Sequence, residues 1–203
     1  AMIHEEDPNH PTCVVTAGID VAEVQMIKER APSIDILGVN TYGDLPGLPD
    51  KIRLYGWDKP YIVSEWGPNG HWEVQKTSWG VPIEQTSTEK ATVYKERYEE
   101  YILSDNSLCM GSYVLHWGNK QETTSTWYGL FLDDGSETNT VDVMEDVWSG
   151  SLRKYRSPQL KSFTINGKNK EESLKVRART KNQVAFDLED EGEITLKWEV
   201  LPE

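Results

Sequence analysis

Cysteine, long apolar runs and positive charge are all scarce in this sequence of 203 residues. The two cysteines, Cys13 and Cys109, each lie in or beside an apolar strand-like run, which favours buried free thiols over a disulfide. No apolar run approaches the roughly 18 to 20 residues of a membrane span, and no signal peptide is visible. The net charge of -13 argues against nucleic acid or an anionic membrane as a partner, because their phosphates would be repelled. A neutral ligand such as a carbohydrate is compatible with this charge.

Tryptophan, by contrast, is abundant: the chain has eight, and several fall in predicted loops. Aromatic side chains in loops are typical of stacking platforms for ligands, although tryptophans also fill the ends of barrels. Trp72 and Trp79 lie in a long predicted loop between residues 68 and 85. Loops of that length in a compact domain are usually functional or disordered, and the aromatic content favours function.

Apolar, β-branched runs alternate with helical patterns over the first 150 residues, which predicts an α/β fold. The predicted strands are 12–17, 35–40, 61–65 and 110–117. The predicted helices are 2–7, 21–31, 49–55, 86–104 and 139–149. Four strand–helix units indicate a parallel sheet with right-handed crossovers. A closed eight-stranded barrel needs about 250 residues, so the sequence predicts either a small open sheet or half of a barrel.

The most informative strand is the one that ends at Glu65. Proline and an apolar run, Pro60 to Val63, predict a short buried strand, and Trp66 to Gly70 form a turn directly after it. The strand therefore delivers the Glu65 carboxylate to the carboxyl edge of the sheet, where parallel α/β proteins build their sites. A lone glutamate at such a position can also simply solvate a strand end. Its role therefore has to be judged from the residues at the ends of the other strands.

Three strand ends together resemble a known family. Asn40-Thr41-Tyr42-Gly43, Ser64-Glu65-Trp66-Gly67 and His116-Trp117-Gly118-Asn119 are similar to the ends of the sixth, seventh and eighth strands of the clan A retaining glycoside hydrolases. The likeness is to TIM barrels of the family 2 and family 5 type, and residues 7–12 resemble the lead into the fifth strand of family 2 proteins. The resemblance covers about residues 1–150 and implies the C-terminal half of a (β/α)8 TIM barrel.

The resemblance also implies roles for individual residues. Glu65 matches the catalytic nucleophile, Tyr42 the tyrosine that supports it, and Trp117 the aromatic floor under the sugar. The residues expected to bind substrate are Asn40, Trp66, Trp72, Trp79, His116, Trp117, Asn119 and Glu122. Taken singly, these side chains could instead be loop anchors or barrel packing. No cofactor and no metal is implied.

One part of the family's machinery has no match. A retaining glycosidase needs a second carboxylate, about 5 to 5.5 Å from the nucleophile, as acid and base. In the family this glutamate follows an asparagine at the end of the fourth strand, and the sequence has no Asn-Glu dipeptide. Glu84 and Glu122 lie in long loops and are candidates to replace it, although neither matches the family's residue. We therefore expect the nucleophile without its partner, and little or no hydrolysis.

Half a barrel would expose two sheet edges and an apolar inner face. The expected partners are therefore a second copy of the chain, joined through these edges as a homodimer, or a missing N-terminal half. The other expected partner is a β-linked oligosaccharide or polysaccharide. By resemblance, the parent protein is expected to be secreted or periplasmic.

The C-terminal part has a different pattern. Residues 151–158 are polar and basic and predict a linker, and residues 159–203 predict a partial β-sandwich that resembles the immunoglobulin-like modules of secreted glycosidases. Alternating patterns predict strands at 160–166, 174–178, 184–188 and 194–200. The acidic segment 187–193 resembles a turn that sometimes binds calcium in such modules, but here a solvated acidic hairpin is favoured.

Two function classes follow from the sequence. The first is a glycoside hydrolase, or the part of one that carries the nucleophile. The second is a non-catalytic carbohydrate-binding or assembly module, in which Glu65 only accepts hydrogen bonds from sugar hydroxyls. A flavodoxin-like nucleotide domain is disfavoured, because Asp20 lies where a phosphate loop would follow the first strand.

Overall fold

The computed structural model describes residues 2–189 and 192–200. Contacts divide the chain into two compact units. The sheet unit comprises Ala1–Pro68 and Glu96–Leu115, and the tail unit comprises Asn69–Lys95 and His116–Glu203. This division differs from the predicted boundaries at residues 150 and 158, because the loops that follow the third and fourth strands group with the tail. The predicted domain boundaries stay predictions.

The sheet unit is built on four parallel strands. They are β1 Cys13–Ala17, β2 Ile36–Asn40, β3 Tyr61–Trp66 and β4 Cys109–Val114. They pair in the order β1-β2-β3-β4, which confirms the predicted parallel α/β sheet. The predicted extension of the last strand to Trp117 is wrong. The amide of Leu115 makes the last hydrogen bond to β3, at the carbonyl of Trp66, and the backbone of His116 instead exchanges hydrogen bonds with Tyr128 and Leu130.

The predicted helices are present, with small shifts at their ends. They are α1 Met2–Glu6, α2 Val21–Arg30, α3 Leu48–Leu54, α4 Ser87–Arg97 and α5 Asn139–Ser149. A 3-10 turn, Leu45–Gly47, precedes α3, and a π-helix, Tyr98–Leu103, continues α4. The side chain of Asp20 accepts from the Glu23 amide at 2.8 Å and caps α2, as the sequence predicts.

A buried carboxylate stabilises the sheet unit at the amino end of β3. Asp105 accepts two hydrogen bonds from the guanidinium of Arg53, at 2.6 and 3.0 Å, and one from the hydroxyl of Tyr61 at 2.7 Å. The bonds from Arg53 hold the pKa of Asp105 well below its usual range, while burial raises the pKa of Tyr61. Because Glu65 lies near the opposite end of the same strand, this cluster contributes stability rather than chemistry.

A β-bulge distorts the carboxyl end of β3. Val39 pairs with Val63, but the next residue of β2, Asn40, pairs with Glu65, so Ser64 is an extra residue in β3. Successive side chains of a regular strand point to opposite faces. A bulge interrupts this alternation, and it re-aims side chains near many active sites.

The outer edges of β1 and β4 pair with no other strand among residues 2–189 and 192–200. Apolar side chains on these two strands are more than half exposed: Val15 at 53%, Met110 at 61% and Tyr113 at 68%. An open edge presents unpaired backbone N–H and C=O groups, to which a further strand can bond.

The tail unit contains α5 and an antiparallel hairpin of β5 Gln159–Ile165 and β6 Val184–Glu189. The strands predicted at 174–178 and 194–200 do not form. Their residues alternate, but a strand also needs a hydrogen-bonded partner, and these segments find none in the described part of the chain. Trp198 nevertheless packs its ring on Phe163 and Phe186, with centroids 6.1 and 5.9 Å apart. Residues 190 and 191 of the predicted acidic turn lie outside the described residues.

The segment 151–158, predicted as a linker, is held against α5. Arg153 forms ion pairs with Asp142 at 3.1 Å and with Glu137 at 2.5 Å. The amide of Ser157 donates to the other carboxylate oxygen of Asp142 at 2.7 Å. These contacts fix the chain between α5 and the hairpin.

Both cysteines are free. Burial raises the pKa of the Cys109 thiol, as expected for a partly buried group. Cys13, however, is exposed, and the prediction that it is buried is wrong, because β1 is an edge strand with a neighbouring strand on one side alone, and of its five residues Thr16 is the one that is buried. None of the helices in the described residues has the length and apolar character needed to cross a membrane.

Candidate active site

Two side chains from β2 and the loop after it hold the carboxylate of Glu65. The phenolic hydroxyl of Tyr42 donates to Oε1, and Nδ2 of Asn40 donates to Oε2 at 3.2 Å. The structure thus brings together three residues that the sequence predicted for the site. Each carboxylate oxygen receives one donor, which suits a group that carries negative charge.

The backbone fixes this arrangement as well. The amide of Thr41 donates to the carbonyl of Glu65 at 2.8 Å, which ties the loop after β2 to the end of β3. Tyr42 is 8% exposed, so its ring is anchored in the sheet unit while its hydroxyl reaches the carboxylate. Glu65 itself is only partly buried. A partly accessible carboxylate with fixed donors has the features of a nucleophile.

Ser64 is a member of this cluster to which the sequence assigned no role. Its hydroxyl donates to Oδ1 of Asn40 at 2.8 Å. Strand alternation placed Ser64 and Glu65 on opposite faces, and only the bulge at Ser64 allows both to contact Asn40. No glycine or proline at this point of the sequence signals the bulge.

Trp66, a predicted substrate-binding residue, is completely buried, and its ring stacks on Tyr98 with centroids 6.4 Å apart. Its indole therefore belongs to the core and is not accessible to a sugar. The bulge explains this, because the extra residue Ser64 interrupts the alternation, so that Trp66 is buried as Tyr61 and Val63 are.

The other predicted binding residues lie in the tail unit. Trp117 is 52% exposed and packs against Phe131 and Trp148, with centroids 5.2 and 5.5 Å away. The side-chain amide of Asn119 donates to two backbone carbonyls, so it shapes its loop. The ring of His116 lies over Gly118, where a Cβ atom would come within 2.7 Å of Nε2.

The loop of residues 68–85 presents its tryptophans to solvent, as predicted. Trp72 is 55% exposed and meets the ring of His71 edge-on, with centroids 4.9 Å apart. Trp79 is 46% exposed, and the ammonium of Lys175 lies 5.1 Å from its ring centroid. Sequence analysis missed Trp148, which is 47% exposed and adjoins Trp117, because it lies on a helix and not at a strand end.

Neither glutamate suggested as a replacement acid is free of partners. Glu84 is paired with Lys90 and accepts from the hydroxyls of Thr124 and Thr126, at 2.6 and 2.9 Å. Burial lowers the pKa of Lys90, and Glu84 opposes that shift. Within the same unit, Glu122 pairs with Lys120 at 2.6 Å. Both carboxylates already have a cationic partner, and their role as a replacement acid stays a prediction.

No group of three or more His, Cys, Asp or Glu side chains in residues 2–189 and 192–200 is arranged to hold a metal ion. The candidate catalytic cluster is Asn40, Tyr42 and Glu65 in the sheet unit, with Ser64 bonded to Asn40. The exposed tryptophans belong to the tail unit and are described separately.

Comparison with known proteins places the fold. No protein-family model and no curated protein sequence matches this chain. Among solved structures, it is similar to a GH39 β-xylosidase from Caulobacter crescentus, with a TM-score of 0.52, 13% identity, and coverage of 72% of this chain and 34% of that one. It is also similar to a Bacteroides uniformis β-glucuronidase, with a TM-score of 0.52, 14% identity, and coverage of 92% and 29%.

A calcium-binding mutant of Bacteroides uniformis β-glucuronidase 2 gives the same TM-score, 0.52, at 19% identity, with coverage of 78% of this chain and 19% of that one. The chain thus spans between about a fifth and a third of the length of these structures. Its fold is that of part of a glycoside hydrolase. At such low identity, the likeness shows the fold alone.

Proposed function

We propose that this chain is the nucleophile-bearing part of a retaining β-glycosidase, with the C-terminal half of a TIM barrel and a partial immunoglobulin-like module. The observation that carries the proposal is the cluster at the end of β3, where Glu65 receives hydrogen bonds from Tyr42 and Asn40. The fold shared with β-glycosidases supports the same interpretation. The substrate is a β-linked oligosaccharide or polysaccharide.

In this proposal one oxygen of the Glu65 carboxylate attacks the anomeric carbon, and the bond from that carbon to the leaving oxygen breaks. The product is a covalent glycosyl ester of Glu65, which water then hydrolyses. Tyr42 and Asn40 hold the carboxylate in place during attack. Since no residue of the chain is assigned as acid and base, natural glycosides react slowly or not at all with the chain alone.

The test is a trapping experiment that does not depend on the missing acid. Dinitrophenyl 2-deoxy-2-fluoro-β-glycosides carry a leaving group that departs without protonation, and the fluorine slows hydrolysis of the ester. The panel comprises the gluco, xylo and glucurono forms. We expect at least one of them to label Glu65, and peptide mass spectrometry will then show the mass of the glycosyl group on this residue. The Glu65→Gln chain is the control and should remain unlabelled. Absence of any adduct on Glu65 across the panel contradicts the proposal.

A second candidate is a carbohydrate-binding module without catalysis, and the exposed pair Trp117 and Trp148 favours it. Flat indole surfaces stack on the C–H faces of pyranose rings. If this candidate is correct, affinity electrophoresis in polysaccharide gels will show retardation that survives Glu65→Gln and is lost in Trp117→Ala. Covalent labelling of Glu65 would instead favour the glycosidase.

A further inference from the structure

We propose that Ser64 is a positioning residue, whose hydroxyl fixes the side-chain amide of Asn40 in the one orientation that presents N–H to Glu65. The hydrogen bonds form a directed chain: the Ser64 hydroxyl donates to Oδ1 of Asn40 at 2.8 Å, and Nδ2 of Asn40 donates to Oε2 of Glu65 at 3.2 Å. The importance of this relay for chemistry rests on the proposed function, whereas its existence does not.

The direction of the relay follows from the groups themselves. An ionised carboxylate only accepts hydrogen bonds, so Asn40 must turn its NH₂ group toward Glu65. Its carbonyl oxygen then faces away and needs a donor of its own. Ser64 supplies that donor, since a hydroxyl can donate one hydrogen bond. Without it, Oδ1 loses this donor, and the amide keeps only one of the two hydrogen bonds that hold its orientation.

The fold makes room for this relay at two points. The bulge in β3 sets Ser64 and Glu65 together against Asn40. Gly38, on β2, leaves space for the hydroxyl, because a Cβ atom at that position would lie 3.0 Å from Oγ of Ser64. Both features are local departures from a regular strand, and both serve the same three side chains.

The experiment compares Ser64→Ala, Ser64→Thr and Asn40→Ala in the full chain, after circular dichroism shows native-like spectra. The first readout is the pair of side-chain amide resonances of Asn40 in ¹H–¹⁵N spectra. We expect Ser64→Ala to shift and broaden them, because the amide loses one of the two hydrogen bonds that hold it, and Ser64→Thr to preserve them because the hydroxyl is kept. Unchanged Asn40 resonances in Ser64→Ala would overturn the proposal.

The second readout is the rate at which the fluoroglycoside labels Glu65. We expect Ser64→Ala to slow labelling about threefold to tenfold, the loss typical of one hydrogen bond. In an Asn40→Ala background, the same Ser64→Ala change should have no further effect, since Ser64 acts through Asn40. Equal slowing in both backgrounds would overturn the relay.

The two proposals fail in different ways. If the Asn40 resonances respond as expected but no variant and no parent chain is labelled, the relay is supported and the assignment of Glu65 as nucleophile is contradicted. If labelling proceeds but is independent of Ser64, the nucleophile is supported and the relay is contradicted.

Discussion

The hydroxyl of Tyr42 donates a hydrogen bond to Oε1 of Glu65 across 23 residues of sequence. This contact joins the loop after β2 to the tip of β3, and it leads to the first prediction. We expect Tyr42→Phe to slow fluoroglycoside labelling of Glu65 by about tenfold to a hundredfold, because a hydrogen bond to a charged group is worth about 1.5 to 3 kcal/mol. Stopped-time mass spectrometry of the adduct measures the rate.

The matched control for that change is Tyr155→Phe, which removes a hydroxyl from a side chain that is 76% exposed. Its labelling rate should equal that of the parent chain. An unchanged labelling rate in Tyr42→Phe would show that the reactivity of Glu65 does not depend on the hydroxyl of Tyr42.

The absence of an assigned acid and base leads to a second prediction about leaving groups. We expect the chain to release dinitrophenol from dinitrophenyl β-glycosides and to leave the corresponding methyl glycosides intact, since only the latter need a proton on the leaving oxygen. Added azide should accelerate turnover and yield a β-glycosyl azide, because azide attacks the glycosyl ester without a general base. Efficient cleavage of methyl glycosides would mean that the chain contains an acid after all.

The sequence predicted the four parallel strands of the sheet and the carboxylate near the end of β3, because apolar β-branched runs and turn residues mark them directly. The family resemblance placed Tyr42 beside Glu65, whereas Asn40 was expected to bind substrate and its hydrogen bond to Glu65 was not predicted. The sequence could not predict the bulge at Ser64, which depends on how β2 and β3 pair and on no special residue. The buried position of Trp66 depends on the same bulge, because regular alternation would group Trp66 with Ile62 and Ser64 and not with the buried Tyr61 and Val63.

The end of β4 and the tail were harder to predict for a related reason. His116 and Trp117 continue the apolar pattern of β4, but the backbone of His116 finds partners in residues 128 and 130. Segments 174–178 and 194–200 alternate as strands do and yet have no ladder. An alternating pattern indicates which side chains would share one face of a sheet. A strand also needs a hydrogen-bonded partner strand, and that depends on the tertiary fold.

The buried cluster around Asp105 leads to a third prediction, on pH and stability. The Arg53 hydrogen bonds lower the pKa of this carboxyl in the folded chain. Its contribution to stability is therefore complete above the unfolded pKa of about 3.9 and is lost as the pH falls below that value. We expect Asp105→Asn to lower the free energy of unfolding by about 2 to 4 kcal/mol at pH 7, and by less at pH 3.

Urea denaturation of both chains at the two pH values measures this difference. The control is Asp44→Asn, because the Asp44 side chain is 79% exposed and its ion pair with Lys51, at 3.0 Å, lies at the surface. Its cost should stay below about 1 kcal/mol at either pH. A pH-independent cost of Asp105→Asn would contradict the assigned cause.

Gly38 leads to a fourth prediction. A Cβ atom there would come within 2.8 Å of Val15 Cγ2 and 3.0 Å of Ser64 Oγ. We expect Gly38→Ala to lower the free energy of unfolding by about 1 to 3 kcal/mol, the usual effect of overpacking, and to slow labelling of Glu65 by displacing Ser64. Gly47→Ala is the control, because its Cβ would meet only Lys51 Cε, at 3.6 Å. If both variants have the same free energy of unfolding and the same labelling rate, the space beside Gly38 is needed neither for stability nor for the position of Ser64.

The open edges of β1 and β4 lead to the last prediction. Met110 and Tyr113 are exposed on β4, and apolar side chains on a strand with one open edge favour association through that edge. We expect the purified chain to form a dimer, and Tyr113→Lys to shift its mass in light scattering toward that of a monomer, since a buried lysine at the interface is costly. Leu54→Lys, at a residue that is 79% exposed on α3, is the control and should leave the dimer intact. A stable, soluble monomer of the unmodified chain would contradict association through the edges. It would mean that the chain stays folded with the open edges of β1 and β4 exposed to water.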